Sequence, residues 1–120
     1  MEFVGKCAEA AGASPKAAME IDLAVEEIFV NIARYAYAPG TGRAKILAEV
    51  SDDCSEITVT FIDGGMRYNP LDKEDPDVTL PAEERPTGGL GVFMVKNIMD
   101  GVSYAYRDGK NILSIRKRLK

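Results

Sequence analysis

Within the stretch Glu26-Glu27-Ile28-Phe29-Val30-Asn31-Ile32-Ala33-Arg34-Tyr35-Ala36-Tyr37, Glu27 and Asn31 stand four positions apart in a segment of helical character. Helix neighbours at i and i+4 share a face. A carboxylate placed there is a base for a water or hydroxyl, and the amide beside it offers a hard oxygen to a cation. Two glycine-bearing segments follow, Asp63-Gly64-Gly65-Met66-Arg67-Tyr68-Asn69-Pro70 and Gly88-Gly89-Leu90-Gly91. Glycine permits close approach of a ligand to the backbone, and glycines just before a helix start suit an anion. Each segment alone has an ordinary reading: a solvated helix face, a strand-end turn and a loose helix start. Their joint occurrence in this order points to a nucleotide site.

The elements that must position these residues can be read from spacing. Residues 3 to 11 form a short amphipathic helix with Phe3, Val4, Cys7 and Ala11 on one stripe, ended by Gly12. Ser14 and Pro15 supply a cap and first position for a longer helix to about Tyr37, with Ala18, Ile21, Ala24, Val25, Ile28 and Ile32 on its apolar side and Pro39-Gly40 as its stop. Arg43 to Ser51 alternate as a strand, Glu56 to Asp63 make a second, and Asp52 to Ser55 turn the chain between them. From Asn69 to Thr87, prolines and acidic residues without a sustained period mark a long loop. A helix follows the glycines, with Val92, Phe93, Val95, Ile98 and Met99 apolar, and closes at Asp100-Gly101. Strands over 102–107 and 111–119, joined by Asp108-Gly109, complete a second hairpin. This order predicts an α+β two-layer sandwich, with helices packed on one face of a mixed, mainly antiparallel sheet.

Length and composition bound the possibilities. At 120 residues, with 46% hydrophobic and 28% charged residues, one folded domain over residues 1–120 is expected. The sequence has no histidine, so a His-based triad, a His-ligated zinc and a histidine phosphoacceptor are excluded within it. Its net charge of −4 argues against nucleic-acid binding. Cys7 and Cys54 lack ligand-like spacing and read as buried reduced thiols, which places the chain in the cytoplasm. Neither a signal-peptide layout nor a membrane-length apolar run is found, so no membrane association is expected. The basic run Arg116-Lys117-Arg118 with Lys120 reads as a solvated terminus.

With these residues in place, the sequence resembles the GHKL (Bergerat) ATPase fold shared by DNA gyrase, sensor histidine kinases and MutL. Its N box, Glu-x-x-x-Asn, is matched by Glu27 and Asn31; its Asp-x-Gly by Asp63 and Gly65; its second glycine box by Gly88, Gly89 and Gly91. Leu23-Ala24-Val25-Glu26-Glu27-Ile28-Phe29-Val30-Asn31, the segment from Asp63 to Pro70 and Gly88-Gly89-Leu90-Gly91-Val92-Phe93-Met94-Val95-Lys96 are similar to the bacterial anti-sigma-factor serine kinases. The resemblance implies ATP and Mg²⁺ as cofactors, Asn31 as the Mg²⁺ ligand and Glu27 as the catalytic base. It implies Asp63 as the acceptor for the adenine amino group, with Gly65 letting the backbone lie against the ring. Residues 71–87 would be an ATP lid, the segment Gly88, Gly89, Leu90 and Gly91 would hold phosphates, and Asn111 falls near a threonine that helps hold adenine in relatives. The implied activity is phosphorylation of a serine on an anti-anti-sigma (STAS-like) partner, with a sigma factor as a further partner and a homodimer as the assembly. The serine kinases usually carry an extra strand before the first helix, whereas this sequence starts almost at the helix, so the dimer lacks that support. A non-catalytic, ATP-dependent partner-switching module is the alternative reading. The catalytic domain of a histidine kinase is disfavoured, since the phosphoacceptor would have to come from another protein.

Overall fold

A computed structural model describes residues 2–33, 44–72 and 90–120. The first helix, α1, spans Glu2–Ala10 and buries Val4 and Ala8. It ends as the spacing predicts: Gly12 takes a φ of 89°, its N–H donates to the Glu9 carbonyl, and the Ala13 N–H donates to that of Ala8. Such a left-handed stop satisfies helix-end carbonyls that would otherwise lack donors. Phe3 departs from the expected stripe and is exposed.

Helix α2 spans Pro15–Asn31. The Ser14 hydroxyl accepts from the Ala17 N–H at 3.1 Å, satisfying one of the first-turn donors, and Pro15 opens the helix. Ala17, Ile21, Ala24, Val25 and Ile28 form its buried face. The expected continuation from 34 to Tyr37 and its stop at Pro39-Gly40 lie outside the described residues.

Strands β1 (Ala44–Val50) and β2 (Glu56–Asp63) form the first hairpin; β3 (Gly101–Arg107) and β4 (Lys110–Arg118) form the second. Asp108 and Gly109 have φ of 52° and 75°, the doubly left-handed two-residue turn whose twist matches the strands. The sheet order is β1-β2-β4-β3, and every described pairing is antiparallel. Between β2 and Leu90 lies a short 3₁₀ turn at Pro70–Asp72. Helix α3 spans Leu90–Ile98.

All three helices pack on one sheet face. The core joins Val4 and Ala8 of α1, Ile21 and Ile28 of α2 and Val95 of α3 to Ile57, Val59, Phe61, Leu113 and Ile115 of the two central strands. On the other face the Thr60 and Ser114 hydroxyls are 3.1 Å apart. Two further expectations change. Cys54 is exposed, in the turn between β1 and β2 with a φ of 58°, while Cys7 is half-buried; both are free thiols. Lys117 is not solvated: it continues the core-facing alternation of β4, and its Nζ lies 2.9 Å from Glu20 Oε1 and donates to the Ile98 carbonyl at 2.6 Å. Among the described residues, no helix is long and apolar enough to cross a membrane.

Candidate functional site

The period-2 pattern that buries Ile57, Val59 and Phe61 on β2 carries on to Asp63, and that of Leu113 and Ile115 on β4 runs back to Asn111. Both polar residues are 4% exposed. Register sets them directly opposite each other, so the hydrophobic ridge of the central strands ends in a polar pair. A buried carboxylate is costly unless hydrogen-bonded. Here Asp63 Oδ1 accepts from the Gly65 N–H at 3.0 Å and from Asn111 Nδ2 at 2.9 Å. The first bond turns the chain back on its own aspartate.

Asn111 is the centre of this network. Its Nδ2 donates to Asp63 and, at 2.9 Å, to the Met66 carbonyl. Its Oδ1 accepts from the Tyr68 N–H at 3.0 Å and from the Tyr104 hydroxyl. Burial pushes the Tyr104 hydroxyl above its ordinary pKa, keeping it a donor at neutral pH. Farther out, the Arg67 guanidinium stacks 4.9 Å from the centre of the Tyr106 ring. No motif in the sequence marks Tyr104 or the Met66 carbonyl as part of such a network. The signal for Tyr104 was available: the two-residue turn fixes Arg107 opposite Lys110, and counting back sets Tyr104 opposite Leu113, diagonal to Asn111.

Asn31, at the end of α2, lines one cleft with Asp63, Tyr68, Pro70, Tyr104, Asn111 and Leu113. The α2 helix therefore brings the amide of its last residue to the same hollow as the buried aspartate. The hollow is closed down to about 20 Å³, room for about one water. One helical turn earlier, the half-buried Glu27 meets the start of α3. A methyl group built on Gly91 would fall 2.0 Å from Glu27 Oε2 and 2.8 Å from its Cδ, so the carboxylate packs on the bare Gly91 backbone. Glu27 thus lies beside the second residue of a helix whose N-terminus favours negative charge. Leu90 opens that helix; Gly88, Gly89 and the expected lid from 73 to 87 lie outside the described residues. Among the described residues, no three acidic, cysteine or histidine side chains form a metal cluster.

The family described as "Histidine kinase-like ATPase domain" matches residues 1–117. The chain is 29% identical over 98 residues to serine-protein kinase RsbW of Bacillus cereus strain AH187 and to that of Bacillus mycoides strain KBAB4. In each case the match covers 78% of this chain and 60% of the relative. The fold is similar to that of the Acinetobacter baumannii histidine kinase AdeS, with a TM-score of 0.57 and 20% identity, over 86% of this chain and 47% of that one. By its sequence match and its fold, this chain belongs to the histidine kinase-like ATPase domain family.

Proposed function

We propose that this chain binds Mg-ATP and, as an anti-sigma regulatory kinase, transfers the γ-phosphoryl group to a serine on an anti-anti-sigma partner. The observation that carries the catalytic part is the Glu27 carboxylate packed against the start of α3. A phosphate at that helix start would lie beside a base, one helical turn from Asn31. The serine Oγ would attack the γ-phosphorus while its proton passes to Glu27; the bond from that phosphorus to the β,γ-bridging oxygen breaks, and ADP departs. Mg²⁺ would neutralise the phosphate charge, held by the Asn31 side-chain oxygen with phosphate oxygens and waters, as suits an ion that needs few protein ligands. Asn31 brings a side-chain amide to the cleft that Asp63 also lines, and the oxygen of an amide is a hard donor of the kind that fits that mode of binding.

Asp63 would accept from the adenine amino group, with Gly65 beneath the ring, and Gly88, Gly89, Leu90 and Gly91 would contact phosphates. Adenine is far larger than the hollow beside Asp63. Of its walls, Pro70 stands in the short turn after β2 and outside the Asn111 hydrogen-bond network, so it is the wall that would give way while Tyr68 stays tied to β4. Residues 71–87 would then close as a lid. The family membership and the RsbW relatives support the reading, although the match spans about 60% of those relatives' length. A cytoplasmic location follows from such partners.

Calorimetry with MgADP and MgATP tests the binding half. Micromolar binding by the wild-type chain is expected, lost in Asp63→Ala and weakened in Asn31→Ala, which removes the metal ligand and leaves the base contacts; absence of binding by the wild-type chain overturns it. For the chemistry, Glu27→Ala should retain ADP binding and lose serine phosphorylation by about 10²-fold or more. A Glu27→Ala chain that turns over like wild type would refute the base. A wild-type chain that binds ATP and releases its partner without phosphorylating it would instead establish the partner-switching module.

A further inference from the structure

We infer that Asn111 is a positioning residue that sets adenine selectivity through Asp63, without itself touching the base; this rests on the nucleotide reading of the site. An asparagine side chain offers two N–H donors and an oxygen with two lone pairs. All four are taken by protein groups: the donors by Asp63 Oδ1 and the Met66 carbonyl, the oxygen by the Tyr68 N–H and the Tyr104 hydroxyl. Nothing is left over for a ligand. The orientation of the amide is fixed as well, because the Tyr68 N–H can only donate and the Met66 carbonyl can only accept.

The consequence falls on Asp63. With the Gly65 N–H and Asn111 Nδ2 both on Oδ1, the carboxylate cannot swing, and its second oxygen takes no hydrogen bond among the described residues. A single fixed acceptor suits the exocyclic amine of adenine, which donates. It rejects guanine, whose carbonyl at the same ring position would face a carboxylate. Asn111 also ties the backbone at Met66 and Tyr68 to β4, and so holds the loop that must pass under the ring. Tyr104, reaching over from β3, closes the network from the far side. In its absence Asp63 could rotate, accept in other directions and lose discrimination while remaining a carboxylate.

The test is the ratio of ADP to GDP affinity, measured by calorimetry on the wild-type chain and on Asn111→Ala, Asn111→Asp and Tyr104→Phe. The wild-type chain should prefer ADP by about 10²-fold or more. Asn111→Ala should cut that preference about tenfold or more, and Tyr104→Phe should move it the same way by less. In Asn111→Asp two carboxylates meet across β2 and β4, so one must take up a proton before the bridge re-forms. The titratable groups around it are Asp63 on β2, Tyr104 on β3 and Tyr68 in the loop, with Arg67 and Tyr106 farther out. The selectivity of that variant should therefore recover as pH falls from about 7 toward 5, a response that a merely structural role would not give. Should Asn111→Ala fail to fold, the pH profile of Asn111→Asp and the ratio for Tyr104→Phe still decide. Wild-type selectivity at pH 7 in the folded variants overturns the role of Asn111 and leaves the nucleotide site standing. Failure of the wild-type chain to bind either nucleotide removes both.

Discussion

Gly91 shows how a residue without a side chain can position the one proposed as the base. Its Cα is the surface on which the Glu27 carboxylate rests, and any Cβ would collide with Oε2 at 2.0 Å. Alanine suits a helix better than glycine does, so Gly91→Ala is expected to keep α3 intact while pushing Glu27 aside. A shift of about 1 Å in a reacting group can cost on the order of 10²-fold in rate. Serine phosphorylation should therefore fall roughly 10- to 100-fold in Gly91→Ala, with ADP affinity changed far less. Gly5→Ala in α1 is the matched control, since a Cβ there meets Asp22 Oδ1 at an ordinary 3.5 Å, and turnover should stay within about twofold of wild type. Equal rates in both variants would mean that Glu27 does not act from this position. The bond of Asp63 to the Gly65 N–H belongs to the same scale: a short-range contact that fixes where the loop after β2 begins.

Helix α3 faces Glu27 at one end and is pinned at the other. Lys117 reaches from β4 to the Ile98 carbonyl at its C-terminal turn, where a cation opposes the helix dipole, and pairs there with Glu20 of α2. The two side chains are only 13% and 12% exposed. Asp100 adds a backbone clamp, its N–H donating to the Arg116 carbonyl and its Oδ2 accepting from the Arg118 N–H. Removing Lys117 leaves Glu20 mostly buried without its cation, which in such settings costs about 3 kcal/mol. Chemical denaturation of Lys117→Met should show a loss of that order, and Lys117→Met with Glu20→Met should recover part of it. A loss under about 0.5 kcal/mol would mean that the pair is effectively solvated. The sequence carried local information well: the Ser14 cap, the Gly12 stop and the Asp108-Gly109 turn all form where short-range backbone chemistry requires them. Lys117 departs from its expected solvated state because the alternation through Leu113 and Ile115 puts residue 117 on the core face. Phe3 and Cys54 went the same way, since apolar type alone does not say which side of a short helix or turn meets the core.

Across the whole molecule, the local patterns say which face of each strand is buried but not which strands lie side by side. The β2–β4 pairing joins residues roughly fifty apart in sequence and is what sets Asp63 opposite Asn111. The turn from Asp63 to Gly65 was legible because it forms through local backbone chemistry; the Asn111 network was not, because it depends on register between two hairpins. That network shares a cleft with Asn31, and the α2–α3 contact at Glu27 lies one helical turn before it, so a nucleotide bridging the two would tie β2, β4, α2 and α3 together. A ligand that binds only the folded state stabilises it by RT ln(1 + [L]/Kd), about 2.7 kcal/mol at a hundredfold excess over Kd. In a domain of this size 1 kcal/mol moves the melting temperature by roughly 4 °C, so MgADP at that excess should raise it by about 10 °C. The rise should vanish in Asp63→Ala at the same concentration, because a site that has lost its base contact is no longer saturated. It should shrink without vanishing when EDTA replaces Mg²⁺, because the base contacts remain and only the phosphate end loses its ion. Scanning calorimetry of the wild-type chain with MgADP and with ADP plus EDTA separates these cases. Equal melting temperatures with and without MgADP at millimolar concentration would show that no nucleotide couples these elements.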